Sequence, residues 1–213
     1  MVRAALMQPS PINTSQQRVM FFEPELPTGF PDIVAVYPSK RKTQISEGRA
    51  NISPQHLRLL HVLYSIKKTK LDSIGASLLW SDREVHKIVD ELVVAEMVRV
   101  RGAFVYSKKL DDIFVAEQIV AIEAKIGNWK RAIEQACANK WFASQSYILV
   151  PSRRDLSLVV ESAVANGIGI LTFDGTYLRT IVEPKEHAIP ASYGSWLFNE
   201  WTLHKMSGSR CND

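Results

Sequence analysis

The spacing of apolar residues changes character several times along the chain. Near the N-terminus, Phe21-Phe22-Glu23 and Ile33-Val34-Ala35-Val36-Tyr37 are short apolar runs of strand length, the second opened by Pro31-Asp32. From Ser53 the period lengthens to that of a helix. Ser53-Pro54 fits an N-cap followed by proline at the first helical position, and Leu57, Leu60, Leu63 and Tyr64 repeat at helical spacing to Lys67. Lys70 to Leu79 predicts a second, short helix. Ser81, with Glu84 three residues on, forms the pattern of a capping box. It opens a third helix from Asp82 to about Ala95, with Val85, Ile88, Val89 and Leu92 on the buried stripe. Val98 to Tyr106 then alternates around Arg101-Gly102, as a short hairpin does. Ile119 to Ile126 returns to an apolar run of strand length. A helix over Gly127 to Ala136, a strand over Tyr147 to Pro151, a helix over Val159 to Asn166 and a strand over Gly167 to Phe173 follow.

Two charges break the run at Ile119-Val120-Ala121-Ile122-Glu123-Ala124-Lys125-Ile126. Charged groups are rarely buried unless paired or bound to a metal. Residues two apart in a strand point to the same face. Glu123 and Lys125 are therefore expected to project together, with Ile122, Ala124 and Ile126 packed on the other side. A carboxylate and an ammonium side by side at the end of an apolar strand suit a reactive site. The plainer reading is a salt bridge at a strand end.

Asp32 at the entrance of one strand, with Glu123-Ala124-Lys125 on another, resembles the PD-(D/E)XK nuclease superfamily. The helix that follows, with its Gln135-Ala136 pair, and the order strand, strand, helix, strand, helix, strand resemble that superfamily's core. The resemblance implies an α/β fold with a restriction-endonuclease-like mixed sheet flanked by helices. It implies a Mg²⁺-dependent nuclease in which Mn²⁺ substitutes. Asp32, Glu123 and the backbone carbonyl of Ala124 would hold the metal. Asp32, Glu123, Lys125 and Gln135 would form the catalytic set. The superfamily's usual helix ahead of the first strand, often bearing a further acidic residue, has no counterpart in Met1 to Gln17, where Pro9 and Pro11 break any helix. Glu23 is a weaker candidate for that acidic position.

Three helices followed by a hairpin between 51 and 109 resemble a winged helix-turn-helix domain. Arg83, His86, Lys87 and Asp90 share the outer face of its third helix, where Arg and Lys suit phosphates or base edges. Arg99 and Arg101, with Lys108 and Lys109, would decorate the wing. This domain would be inserted into an α/β core made of residues 1–50 and 110–213, with Lys40 to Ala50 as the entry linker. The competing layout is linear, and in it Asp32 never meets Glu123.

Composition narrows the setting. Hydrophobic residues are 46% and charged residues 23% of the 213 positions, ordinary for a globular protein. No apolar run reaches 18 residues, so no membrane span is expected. The two cysteines, Cys137 and Cys211, have no zinc-like spacing and leave a reducing cytoplasm as the expectation. The five histidines are scattered and read as surface or packing residues. Net charge is +4 with pI near 9.1. Ten Lys and Arg face six Asp and Glu between Ser53 and Lys109, leaving 16 of each sign elsewhere. The basic excess lies wholly in the helix-hairpin segment, which favours a polyanionic partner there. The expected partner is duplex or branched DNA, with a homodimer or a partner subunit completing the fold. The contrasting expectation is a non-catalytic DNA-binding or regulatory protein whose nuclease-like core serves dimerisation or partner binding.

Overall fold

The computed structural model describes residues 17–27, 29, 31–39, 46–152 and 155–208. The N-terminal stretch before Gln17, Phe30, most of the expected linker (Arg41 and Lys42 included) and Cys211 lie outside the described residues. In chain order the elements are β1 (Val19–Phe22), β2 (Ile33–Pro38), a 3₁₀ turn (Glu47–Asn51), α1 (Pro54–Ile66), β3 (Lys68–Lys70), α2 (Leu71–Leu78) and α3 (Asp82–Val94). There follow β4 (Val98–Arg101), β5 (Phe104–Ser107), α4 (Leu110–Ile113), β6 (Ala116–Ala124), α5 (Trp129–Asn139), β7 (Gln145–Pro151), α6 (Ser157–Ala165), β8 (Gly169–Phe173), β9 (Leu178–Val182) and α7 (Tyr193–Gly208). The chain divides into two compact units, one of residues 1–38 and 117–190, the other of 39–116 and 191–213.

The first unit is mixed α/β. Its sheet has six strands in the order β1-β2-β6-β7-β8-β9. β1 and β2 pair antiparallel, β6, β7 and β8 run parallel, and β9 returns antiparallel to β8. The parallel strands require crossovers, and α5 and α6 supply them. One face of the sheet packs on these helices through Ala132, Ile133 and Ala136 of α5, Val159 and Ala163 of α6, and Ile148, Val150 and Ile170 of the strands. The opposite face carries Ile33, Ala35, Tyr37, Val120, Ile122, Tyr147, Leu149 and Leu171. Alternation along β6 thus sends Ile122 and Ala124 to one side and Glu123 to the side of the helices. Gly169 is required by packing, because a Cβ there would lie 2.3 Å from the Tyr147 ring. Ile126 departs from expectation. The strand ends at Ala124, so Ile126 is not held in the pleat and is 84% exposed.

The second unit contains α1, α2, α3, a three-stranded sheet in the order β3-β5-β4, α4 and α7. Ser81 and Glu84 form the expected capping box at α3, and Val85, Ile88, Val89 and Leu92 are its buried stripe. β4 and β5 form an antiparallel hairpin, turning at Gly102 with φ +57°, a left-handed conformation that glycine adopts without a Cβ penalty. β3, which the pattern does not predict, adds to the free edge of β5. At α1 the cap is reinforced by His56, which sits at the third helical position and accepts the Ser53 N–H at Nδ1 over 3.1 Å. Nδ1 is therefore unprotonated, and Nε2 donates to Glu91 of α3 at 2.8 Å.

α7 is buried over most of its length and contributes Trp196, which meets Tyr64 at 5.4 Å and Phe114 at 4.5 Å in edge-on ring contacts. Asn199 Oδ1 accepts the N–H groups of Val115 and Ala116, and Glu200 takes a bidentate ion pair from Arg49. Arg49, which the sequence places in a polar linker, is thereby tied to α7. No helix among the described residues is long and apolar enough to cross a membrane.

Candidate functional site

Asp32, Glu123 and Lys125 meet at the ends of two neighbouring strands. Asp32 is the last residue before β2, and its backbone carbonyl accepts the Glu23 N–H at 2.9 Å, closing the β1-β2 hairpin. Its side chain reaches across to β6. Asp32 Oδ2 accepts the Ala124 N–H at 2.7 Å and the Lys125 ammonium at 3.2 Å. At the other end of the pair, the Ser39 N–H donates to Val115 just ahead of β6. The start of β2 thus lies by the end of β6, and the reverse, so the two strands run antiparallel. Lys125 is fixed from its far side, its N–H donating to Leu149 of β7 at 3.0 Å.

Glu123 differs from its neighbours in burial. Its side chain is 2% exposed, against 29% for Asp32 and 28% for Lys125. Asn139, the last residue of α5, donates from Nδ2 to Glu123 Oε1 at 2.7 Å. Oε2 has no hydrogen-bond partner and stands 3.9 Å from the Lys125 ammonium. Burial pushes the Glu123 carboxyl up from its ordinary 4.5 to about 7. The Asn139 hydrogen bond opposes that rise, the Asp32 charge adds to it, and Lys125 offsets part of it.

α5 turns a buried stripe of Ala132, Ile133, Ala136 and Asn139 towards the sheet, and only its last member is polar. Ala132 and Ala136 let the helix approach the sheet, and Asn139 continues the same stripe one turn on. Gln135 lies one turn before Asn139, and its Oε1 is buried without a hydrogen-bond partner. Glu123, Gln135 and Asn139 line an open pocket of about 210 Å³ together with Leu26, Gly29, Pro31 and Trp141. Lys125 borders a second cleft of about 130 Å³ with Gly127, Trp129, Asp155 and Ser157.

The structure therefore gathers Asp32, Glu123, Ala124 and Lys125 into one cluster, and puts Gln135 on the wall of the pocket beside Glu123. The sequence reading overlooked Asn139. The expected helix stopped at Ala136, whereas α5 runs on to Asn139 and so puts it four residues from Gln135 on the same face. Among the described residues, no group of three or more His, Cys, Asp or Glu side chains gathers as a metal site. Two carboxylates, one of which keeps a buried oxygen without a donor, are nevertheless a ligand set of the kind Mg²⁺ accepts. That ion keeps several waters and needs only one or two carboxylates.

In the second unit, Arg83, His86, Lys87 and Asp90 are all exposed on α3. His86 Nδ1 lies 2.8 Å from the Asp82 carbonyl, and Lys87 is 3.9 Å from Glu91 in an exposed pair that contributes little stability. Arg99 and Arg101 are exposed on β4 and, with Lys108, Lys109, Tyr106 and Asp112, line a groove of about 410 Å³. Its four cations outnumber its single carboxylate, so the groove favours an anion. Comparison of the chain with family models, with curated proteins and with solved structures finds no match.

Proposed function

We propose that this chain is a Mg²⁺-dependent nuclease of the PD-(D/E)XK kind, hydrolysing phosphodiester bonds in DNA, with a winged-helix module in the second unit that binds the same polymer. One observation carries this reading. Asp32 and Lys125, 93 positions apart, are in direct contact beside a buried Glu123 that keeps one oxygen without a donor. A fold needing only a strand-end ion pair would have no use for a second carboxylate buried against it, since such burial is costly.

Asp32, Glu123 and the carbonyl of Ala124 would hold the metal. When bound, the ion supplies an acidified water and neutralises charge on the phosphate. Lys125 lies between the two carboxylates. Its ammonium stabilises negative charge developing at the phosphate and orients the attacking water by donating to it. Gln135, with its amide oxygen buried beside Glu123, lends a polar wall to the same pocket. In the helical unit, Arg83, His86 and Lys87 of α3 and Arg99 and Arg101 of β4 would meet phosphates and groove edges.

The test is cleavage of duplex and branched DNA by purified protein with Mg²⁺, with Mn²⁺ and with EDTA. Activity should require the metal. Asp32→Asn should lose it as completely as Glu123→Ala, and the double variant should be no worse than either, because the ligands act as a unit. Full activity in Asp32→Asn would refute the site. A wild type that binds DNA but cleaves none under any metal would favour the non-catalytic reading, in which Lys125 and Asp32 form a structural pair.

A further inference from the structure

We infer that Asn139 is a positioning residue that divides the labour of the two Glu123 oxygens, tying Oε1 to α5 so that Oε2 alone is presented to a metal ion. The inference rests on the metal-site reading above and deepens it. Its basis is the asymmetry of the carboxylate. Oε1 receives the Asn139 amide at 2.7 Å, while Oε2 is buried with no donor and faces the Lys125 ammonium at 3.9 Å.

The amide must be oriented as described. With Glu123 ionised, as a metal ligand must be, a flipped Asn139 would set its own carbonyl oxygen against a carboxylate oxygen, two acceptors with no proton between them. Asn139 is also a rigid support. It is 8% exposed, and its backbone carbonyl accepts the N–H groups of Phe142 at 3.1 Å and Ala143 at 3.0 Å, which close the end of the helix. Its side chain therefore has little freedom to follow Glu123, and the carboxylate is held to it. Lys125 and the Ala124 N–H hold Asp32 from the opposite side. Glu123 and Asp32 are thus each fixed by a hydrogen bond from protein before any ion arrives. Partners of this kind, bound to a ligand rather than to the ion, orient it and commonly contribute 10–100-fold to metal affinity.

The experiment measures Mn²⁺ binding by electron paramagnetic resonance on the full chain without DNA, and cleavage against Mg²⁺ concentration alongside it. Asn139→Leu keeps the branched shape, at a somewhat larger volume, and removes the donor. Asn139→Ser keeps a hydroxyl but draws it back from Glu123, and serves if the leucine variant does not fold. Either variant should raise the Mn²⁺ Kd by roughly 10–100-fold. Each should also need proportionately more Mg²⁺ for half-maximal cleavage, while the rate at saturating Mg²⁺ recovers towards wild type. A purely structural role would instead lower the rate at every Mg²⁺ concentration and leave Mn²⁺ affinity unchanged, which would overturn the inference. A wild type that binds Mn²⁺, with Glu123→Ala abolishing binding and both Asn139 variants binding normally, refutes the role of Asn139 and spares the metal site. A wild type that binds no Mn²⁺ refutes both.

Discussion

Replacing Glu123 by Gln should stabilise the folded protein above neutral pH. Glu123 is buried, and its carboxyl is raised from 4.5 to about 7 chiefly by that burial. A folded-state pKa above the unfolded one means that the native state binds the proton more tightly. The associated stability is fully present below pH 4.5 and is lost as pH rises through about 7. The whole gap corresponds to on the order of 3 kcal/mol at 1.36 kcal/mol per pKa unit. Water reaching the partly exposed Asp32 and Lys125 screens part of it, leaving about 2 kcal/mol. Gln keeps the size and an acceptor for Asn139 but never ionises. Urea denaturation of both proteins in EDTA, at steps between pH 4.5 and 8, isolates this contribution, because all other titrating groups are common to the pair. The stability difference should move in favour of the variant by about 2 kcal/mol over that range, or roughly 4–8 °C in Tm for a chain of this size. A difference that stays flat, or that favours the wild type as pH rises, would show that the Glu123 charge is solvated or fully compensated, and the reasoning would fail.

Trp196→Ala should destabilise the second unit by about 3–5 kcal/mol, as loss of a large buried aromatic does. Trp196 is fully buried and its indole N–H has no hydrogen-bond partner, so Trp196→Phe should cost much less; equal losses in the two variants, followed by denaturation, would contradict this. Replacing both Arg83 and Lys87 by Ala should weaken DNA binding and flatten the slope of log affinity against log salt by roughly 1–2. Unchanged affinity and slope in a titration over salt would remove α3 from the interface.

Local periodicity was enough for most elements. The Ser81–Glu84 box, the stripe of α3 and the turn at Gly102 each depend on residues within a few positions, so the chain specifies them before any tertiary contact forms. The opposition of Glu123 to Ile122 and Ala124 followed from the two-residue period of a strand. What periodicity could not supply was distance between segments. Nothing in the spacing tells β6 to stand beside β2, or α7 to place Trp196 against Tyr64 and Phe114 in the second unit. α7 carries polar residues such as Asn199 and Glu200 at buried positions, and only their distant partners, Val115, Ala116 and Arg49, explain them.

The candidate site divides along the same line. The sequence alone determined which charged groups lie at strand ends, since that is a matter of residue type and local period. The tertiary structure alone decided that Asp32 contacts Lys125, that Glu123 is almost wholly buried, and that Asn139 engages one of its oxygens. Those facts depend on how the sheet is ordered and how closely α5 packs upon it. Strand order is set by the burial of the whole apolar surface, a sum over many distant pairs that no local window contains.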